Sequence, residues 1–451
     1  MHQGSVGRVV LGISLFFLAP WSAVFSQDKS SPIHPNLLVE ISLDFANAAG
    51  SQEIDRCDPV DRNQGKMKLS GTTHTRAQVT FGFVPNYQMG VLDLYLKGAT
   101  SAGTTASRGR IHADVSTQLS YIGRKQLYVT ENGFCAAPGQ TNANLDYNVL
   151  CGVHTEFRKP LDPLVRRLVY RVYDRKKSQI DNQVYQQGSE ELAKQFETNA
   201  VKTLAEANER YYEKVRDPMV RRGIFPQRVR LMTSDHQIGL RSLLLDPTGK
   251  PQTFAPVPDI QGWPDIAVRV EESMLNNGAQ TVFAGKTYDG PALDKQFSAF
   301  LKPLMGEAVE TTEKGEEFSI TFPDNKPIEI HFRDQGFQVT IRGDEFTTER
   351  GAFDGMDTTA FYKLQKTNVG LVAKRQGDLE VYPPGFKKGE KLGLREKFMQ
   401  ELLKRKFGKV MKPEFEMKEL KLPENMRKAG DLITTQVESN NGWLVLAWRR
   451  K

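Results

Sequence analysis

The sequence predicts an α+β protein made of two pseudo-repeats, each a curved antiparallel sheet packed on a long helix. Two observations carry this prediction. The order of predicted elements (strand, helix, antiparallel meander, helix) occurs twice along the chain. A short motif also recurs at one constant spacing, with the equivalent pairs Val39 and Val268, Ile41 and Val270, and Asn47 and Asn276. The hydrophobic fraction of 39% supplies enough apolar side chains for a core in each half.

Each copy of the motif predicts a short strand followed by a helix. In the first copy, apolar residues alternate at Val39, Ile41 and Leu43, which is the period of a half-buried strand. In the second copy, one helical face is formed by Leu275, Ala279, Val282 and Phe283. A strand that leads into an amphipathic helix therefore opens both halves.

Alternating runs around turn residues predict the meanders. Residues 77–98 and 326–343 are hairpins, the first around Pro85 and Asn86 and the second around Asp334, Gln335 and Gly336. Further strands follow in both halves. They are GRIHADVSTQLSYIG, KQLYVTENGF and YNVLCGVHTEF in the first half, and DTTAFYKLQKTN, GLVAKRQG and DLEVYPP in the second.

A long helix is predicted to end each half. The first runs from Pro163 to Arg216 with a break near Gly188. Its predicted buried edge is Leu192, Phe196, Ala200, Leu204, Tyr211 and Val215. Near its start, Leu164, Val165, Leu168 and Val172 are expected to be buried and Arg166, Arg167, Arg171 and Arg175 to face solvent. The second helix is basic and carries an apolar stripe of Leu394, Phe398, Leu402 and Phe407.

The N-terminus predicts an exported protein, periplasmic or extracellular. A polar lead with Arg8 precedes an apolar run from Val9 to Trp21, and the small residues Val24 and Ser26 precede a cut before Gln27. An uncleaved anchor is the alternative. We therefore expect a signal peptide at 1–26, a first unit at 27–230 and a second unit with the basic helix at 231–451.

The three cysteines predict at most one disulfide. Cys135 and Cys151 flank a turn-rich segment between two strand-like runs, so a bridge between them would close a loop of ~15 residues. Cys57 would stay free, and the spacing is not that of a zinc or redox motif. We expect no metal site and no cofactor.

Positive charge is concentrated near the C-terminus. From Lys387 to Lys428 there are 14 Lys or Arg and 7 Glu, and this surplus of 7 equals the net charge of the chain. The segment is either a cationic surface for anionic membrane or wall material, or a solvated helix face. No nucleic-acid recognition module is present, so nucleic acid is not an expected partner.

Familiar catalytic patterns are absent from the sequence. Residues 268–290 contain the adjacent carboxylates Glu271 and Glu272, which diverge in a strand or helix start and so favour a structural joint over a glycosidase pair. Ser234, Asp235 and His236 are consecutive, which does not build a triad. Three histidines (His74, His112, His154) on predicted strands hold zinc only if they converge. No catalytic residue is assigned and the ligand-binding residues stay unknown, so the sequence leans towards a non-enzyme.

The repeated element order over residues 35–410 resembles the tubular lipid-binding superfamily, which includes the bactericidal permeability-increasing proteins. The chain also resembles uncharacterised secreted bacterial proteins with a similar ESMLNN segment. The first resemblance implies an apolar groove between helix and sheet. We therefore expect an exported, non-enzymatic binding protein for a lipid or other apolar ligand. The alternatives are a secreted hydrolase of cell-wall or polysaccharide material and an envelope-associated scaffold.

Overall fold

A computed structural model describes residues 34–249, 255–305, 317–367, 370–387, 389–418, 420, 422 and 424–451. The predicted signal peptide at 1–26 lies outside the described residues. Within the described part of the chain, no helix combines the length and the apolar character needed to cross a bilayer.

The first half begins with the predicted strand and helix and then forms very long strands. In chain order its elements are β1 (Leu37–Ser42), α1 (Leu43–Gly50), β2 (Gln52–Gln64), β3 (Met67–Phe83), β4 (Gly90–Arg108), β5 (Ile111–Thr130), β6 (Gly133–Ala136), β7 (Gln140–Thr155), α2 (Leu161–Tyr211), a π-helical turn (Tyr212–Arg216), α3 (Asp217–Arg222), β8 (Arg228–Thr233) and β9 (Gln237–Leu243).

The second half repeats this order with shorter strands and, among its described residues, without a helix as long as α2. Its elements are β10 (Ile266–Glu271), α4 (Glu272–Phe283), β11 (Thr287–Asp289), α5 (Gly290–Met305), β12 (Phe318–Thr321), β13 (Ile328–Arg333), β14 (Gly336–Thr348), β15 (Gly351–Thr367), β16 (Gly370–Arg375), β17 (Glu380–Tyr382), α6 (Leu394–Val410), β18 (Glu414–Lys418), a 3-10 turn (Glu424–Ala429), β19 (Leu432–Asn440) and β20 (Trp443–Arg450).

Three antiparallel sheets organise the chain. One sheet belongs to the first half, with the order β2-β3-β4-β5-β6 and β7 paired with β5. Another belongs to the second half, with the order β11-β12-β14-β15-β16-β18. The central sheet, β19-β20-β10-β1-β9-β8, takes strands from both halves. The predicted α+β class, with a curved antiparallel sheet and helix in each half, is confirmed.

The two motif copies meet at the centre of the central sheet. β1 and β10 pair antiparallel with Val39 directly opposite Val268. Leu37 lies opposite Val270, and Ile41 lies opposite Ile266. The counterparts of Leu37 and Val270 are Ile266 and Ile41, which pair with each other in the same way. This is the pairing produced by a two-fold axis through Val39 and Val268. The recurrence in sequence is a pseudo-two-fold axis in space.

Polar contacts at the helix starts obey the same symmetry. The Ser42 side chain caps α1 and the Glu271 side chain caps α4, each by accepting a backbone N–H bond of 3.0 Å. The backbone N–H of Ser42 donates to the carbonyl of Asp265, and that of Glu271 donates to the carbonyl of Asn36, each at 2.9 Å. The two strand–helix joints are therefore equivalent.

Two equivalent asparagines fasten these helices to their sheets. The Asn47 side chain donates to the carbonyl of Phe81 (2.9 Å) and accepts from its N–H (2.8 Å). The Asn276 side chain makes the same two bonds to Ile330, at 3.0 Å and 2.8 Å. Each amide occupies the backbone groups that a neighbouring strand would otherwise bind. We call these contacts the asparagine clamps.

One pair of equivalent positions carries opposite charges. Glu40 and Arg269 occupy the same place in the two strands and form an ion pair of 2.5 Å across the axis. Their side chains are only 22% and 10% exposed, so the pair is largely removed from solvent. The axis therefore relates backbone and apolar residues but not these charges.

Several sequence predictions need correction. α2 is continuous through Gly188, because the absent side chain lets the helix approach Leu119; a Cβ there would lie 3.0 Å from that side chain. β5 is one strand rather than two, because it continues through Arg124, which separates the two predicted strands, and buries Lys125. The unit boundary expected after residue 230 lies within β8, and the division of the chain at that point stays a prediction.

The basic helix is confirmed as α6, and its predicted apolar stripe is only partly correct. Leu402 and Phe407 are buried in the second half, and Phe398 is half-buried against Phe353. Leu394, the first residue of the helix, is 88% exposed. The stripe therefore rests on the body of the protein except at its beginning.

We predict that reversing the charge of Glu40 destabilises the fold and that a second reversal restores it. Glu40→Arg places two guanidinium groups together in a poorly solvated site and is expected to lower the free energy of unfolding by roughly 3 kcal/mol. Glu40→Arg combined with Arg269→Glu should recover most of this loss in urea unfolding. A double variant as unstable as the single one would contradict a direct pairing.

We also predict that the two asparagine clamps contribute equally. Asn47→Ala and Asn276→Ala each leave a backbone N–H and carbonyl without a partner, which costs roughly 2 to 4 kcal/mol. Both variants should unfold at lower urea concentration by similar amounts, whereas Asn63→Ala, at an exposed position on β2, should not change the midpoint. A lower midpoint for only one of the two variants would show that the two clamps do not contribute equally to stability.

Candidate functional site

The inner face of the first sheet faces α2. Across the strands, Arg56, Thr75, Thr100 and Leu119 occupy one row of the register, and Leu145 continues it on β7. Side chains of one row lie on the same face of a sheet. The Thr75 and Thr100 hydroxyl oxygens are 3.1 Å apart, as this arrangement requires.

α2 lies along this face and holds the β7 edge. The Tyr173 hydroxyl and the Lys177 ammonium both donate to the carbonyl of Asn148, at 2.8 Å and 3.0 Å. The Asn148 side chain, which is 2% exposed, donates to Asp181. At the opposite edge of the sheet, Gln64 of β2 donates to Gln187 of α2 at 3.0 Å. Both sheet edges therefore reach the same helix, and the sheet curls around the space between them.

The end of this space nearest the central sheet is filled. Phe81, Leu94, Leu127 and Phe134 are buried there with Phe196 of α2. Two cavities remain beside Phe134, with volumes of about 20 Å³ and 10 Å³. Each has room for about one water molecule. A larger ligand therefore does not fit at this end without displacing side chains.

Farther from the central sheet, the inner face is apolar but only half-buried. We call this region the distal groove, defined by the inner-face residues of β2–β5 and β7 beyond Tyr121 and by the sheet-facing side of the first half of α2. Its half-buried apolar side chains are Val60, Leu69, Val115, Leu119, Leu145, Leu150, Val165, Val169, Ile180 and Val184. A completed core would bury these side chains, so the groove leaves apolar surface open to solvent.

The wall of the groove opposite α2 is made of small and polar side chains. On β3 and β4 the inner positions include Thr73, Thr75, Thr100, Ala102 and Thr104. Short side chains at these positions leave width between the sheet and the helix. The groove thus combines an apolar side, on β5, β7 and α2, with a hydroxyl-bearing side.

One ion pair lies on the inner face of β2. Arg56 and Asp58 form a bond of 2.5 Å, and their side chains are 37% and 40% exposed. Burial raises the pKa of the Tyr121 hydroxyl, and the nearby charge of Arg56 opposes that rise. Arg56 therefore lies near Tyr121, at the boundary between the filled end and the distal groove.

A buried lysine fixes α2 to the sheet at that boundary. Lys125 on β5 is 1% exposed, and its ammonium donates to both oxygens of Glu197 at 2.7 Å. Glu197 also accepts from the backbone N–H of Gly139 at 3.0 Å. These bonds, led by that from Lys125, lower the pKa of the Glu197 carboxyl below its usual value.

The adjacent glutamates of residues 268–290 serve the second strand–helix joint. Glu271 caps α4, and burial raises the pKa of its carboxyl. Glu272 accepts from the backbone N–H of Phe332 at 2.9 Å and contacts Nδ1 of His331 at 3.2 Å. One carboxylate therefore holds the helix and the other holds strand β13.

The other polar clusters of the sequence have separate local roles. The Ser234 hydroxyl accepts from the backbone N–H groups of His236 and Gln237 and closes the turn between β8 and β9. Residues 234–236 therefore form a turn and not a catalytic arrangement.

The three candidate histidines do not converge. His112 and His154 are opposite each other on β5 and β7, where His154 contacts Asp114 at 2.9 Å. His74 lies on β3 and bonds to Asp55. Among the described residues, no group of three or more His, Cys, Asp or Glu side chains is arranged to hold a metal ion.

The predicted Cys135–Cys151 disulfide is not formed, and the three thiols are free and exposed. Cys135 lies opposite Tyr128 on β5, whereas Cys151 lies in a bulge beside Asp114. The separation along β5 is on the order of 40 Å at ~3.3 Å per residue, well beyond the reach of a disulfide.

No protein-family model matches the chain, and no curated protein matches it. Among solved structures, the chain is similar to a lipopolysaccharide binding protein, with 8% sequence identity and a TM-score of 0.35. The match covers 92% of this chain and 99% of that one. At this identity and TM-score the likeness carries no functional argument, and membership of the tubular lipid-binding superfamily stays a prediction.

We predict that acid weakens the attachment of α2. A carboxylate whose pKa is lowered by folding contributes stability above its unfolded pKa, and this contribution is lost as pH falls through the folded value. For Glu197 the loss therefore begins below about pH 4.5. Glu197→Gln leaves Lys125 buried without its counter-charge and should cost roughly 2 kcal/mol near neutral pH.

The matched variant is Lys125→Met combined with Glu197→Gln, which removes both charges. Hydrogen exchange of the amides of α2, followed from neutral pH to pH 3.5, measures the attachment directly. The wild type should lose protection more steeply with acid than the double variant. Identical acid profiles would contradict the assigned role of the pair.

Proposed function

We propose that the protein is an exported, non-enzymatic binding protein that holds a lipid or another apolar ligand in the distal groove. One observation carries the proposal: the inner face of the first sheet and the facing side of α2 present apolar side chains that are only partly buried. An elongated apolar ligand would bury this surface, with a gain of about 25 cal/mol per Å² removed from water.

The polarity of the groove favours an amphiphile. Apolar side chains from β5, β7 and α2 form one side, and threonine hydroxyls form the other. Arg56 is a hydrogen-bond donor at the inner end, where it is paired with Asp58. We therefore propose a ligand with an extended hydrocarbon part along α2 and a polar part near the threonine wall.

The second half supports this choice of site by contrast. Its core is closed by aromatic side chains, with Phe283 in contact with Phe297, Phe322 and Tyr288. Phe297 and Phe283 are at most 1% exposed. These aromatic side chains fill the space between α4, α5 and the sheet of the second half, so we place the ligand in the first half alone.

Export is the other part of the proposal. It rests on residues 1–26, whose charged lead, apolar run and small residues before Gln27 have the order of a secretory signal. The N-terminal sequence of the protein recovered from its natural source tests this part independently of any ligand. A protein that begins at Met1 would contradict cleavage.

We predict that a bulky side chain on the inner face blocks the ligand. Ala102→Trp extends into the groove, whereas Ala99→Trp, on the same strand, extends from the outer face beside Arg76. Organic extraction followed by mass spectrometry should recover an apolar ligand from the wild type and from Ala99→Trp. At least about tenfold less ligand is expected from Ala102→Trp, since a filled pocket excludes its ligand.

A fluorescent fatty acid added to extracted protein gives the second readout. Uptake by the wild type and by Ala99→Trp, together with loss in Ala102→Trp at an unchanged melting temperature, would support the distal groove as the site. Equal uptake by both variants would place binding elsewhere. No extractable ligand and no uptake by the wild type would overturn the proposed function.

A further inference from the structure

The first three turns of α2 carry an apolar stripe that no part of the described chain covers. Leu161, Leu164, Leu168 and Val172 are 55%, 59%, 59% and 45% exposed. The sequence predicts burial for the last three, and the structure contradicts this, because Val165 and Val169 occupy the side of the helix turned to the sheet. Spacings of three and four residues keep the exposed four on one face over about 16 Å.

A row of arginines runs beside this stripe. Arg167, Arg171 and Arg175 each follow one another by four residues, so they share a neighbouring face of the helix, and all three are exposed. Within the described residues, none of the three forms an ion pair, in contrast to Arg166, which binds Asp162 at 2.9 Å. Residues 158–177 contain eight Lys or Arg and two Asp, a surplus of six positive charges.

We propose that this face of α2 is a docking surface for an anionic lipid bilayer. A helix that presents leucines on one face and arginines beside them inserts the leucines at the headgroup boundary and keeps the guanidinium groups among the phosphates. Anionic headgroups supply the charge that the arginine row lacks within the protein.

A second copy of the chain is a poorer occupant than a bilayer. Two such faces packed against each other would bring six surplus positive charges against six, and like charges oppose association. A bilayer can cover leucines and arginines together, because its acyl chains contact the leucines while its anionic headgroups contact the neighbouring arginines.

The position of this surface in the fold determines which end of the distal groove would lie nearest the bilayer. α2 begins at the outer end of the first sheet, where Asp162 accepts from the Thr155 hydroxyl at the end of β7. The docked face therefore lies at the outer end of the distal groove. The inference itself does not depend on a ligand in that groove, since it rests on the exposed face of α2.

Co-sedimentation with lipid vesicles tests the inference on the full mature chain. Vesicles of phosphatidylcholine alone are compared with vesicles that also contain phosphatidylglycerol. We expect binding only to the anionic vesicles, weakened by added salt because the headgroup charges are screened. Leu164→Ser with Leu168→Ser, and separately Arg167→Gln, Arg171→Gln and Arg175→Gln together, should each weaken binding by at least about tenfold.

Matched controls separate a local surface from general charge. Lys391→Gln, Lys397→Gln and Lys404→Gln remove three positive charges in and beside α6, and Leu394→Ser removes the 88% exposed leucine of that helix. Both controls should bind anionic vesicles like the wild type. Circular dichroism checks that every variant is folded, and fatty-acid uptake by the groove should be the same in all of them.

Three results would overturn the inference. The first is an absence of wild-type binding to anionic vesicles. The second is an equal loss of binding in the α6 charge control, which would show attraction without a specific surface. The third is concentration-dependent dimerisation that Leu164→Ser and Leu168→Ser abolish, with vesicle binding unaffected, which would identify a second copy as the occupant.

Discussion

The antiparallel pairing of β1 with β10 is the constraint on which the rest of the structure depends. Val39 and Val268 are 229 positions apart in sequence and directly opposite in the sheet. β1 continues through the capped helix α1 into the sheet of the first half, and β10 continues through the capped helix α4 into the sheet of the second half. The orientation of both halves, and of the hairpins that flank them in the central sheet, follows from this one register. A one-residue slip would turn every side chain of β1 to the opposite face.

Local rules explain the parts of the fold that the sequence predicts correctly. Alternating residues around Pro85–Asn86 and around Asp334–Gln335 predict hairpins, and both occur. Asp334 and Gln335 have positive φ, as a tight hairpin turn requires. The equivalence of Asn47 and Asn276 in the sequence corresponds to an equivalent structural role, because each side chain makes the same pair of hydrogen bonds to the backbone of a strand. The terminal hairpin of β19 and β20 was missed, although Asn441 and Gly442 between two apolar runs are a turn signal.

Contacts between distant segments explain the errors. The sequence divides β5 at Arg124 into two predicted strands. The structure continues the strand through this position, and Lys125, which begins the second predicted strand, is buried because Glu197, 72 residues later, satisfies its charge. Gly188 is predicted to break the helix, yet it lies within the continuous α2, where a Cβ would come within 3.0 Å of the Leu119 side chain. A helical period shows that Leu164 and Leu168 share a face, and only the packing of α2 against the sheet shows that solvent meets that face. The distal groove could not be predicted from the sequence either, because its lining depends on the register between five strands.

The ion pair at the axis has a consequence for how the halves recognise each other. If the first half of one molecule paired with the first half of another about the same axis, Glu40 would meet a second Glu40. The corresponding pairing of two second halves would bring Arg269 against its own copy. Opposite charges at equivalent positions thus favour pairing between the two halves of one chain over pairing between like halves of two chains. They therefore disfavour domain-swapped dimers during folding.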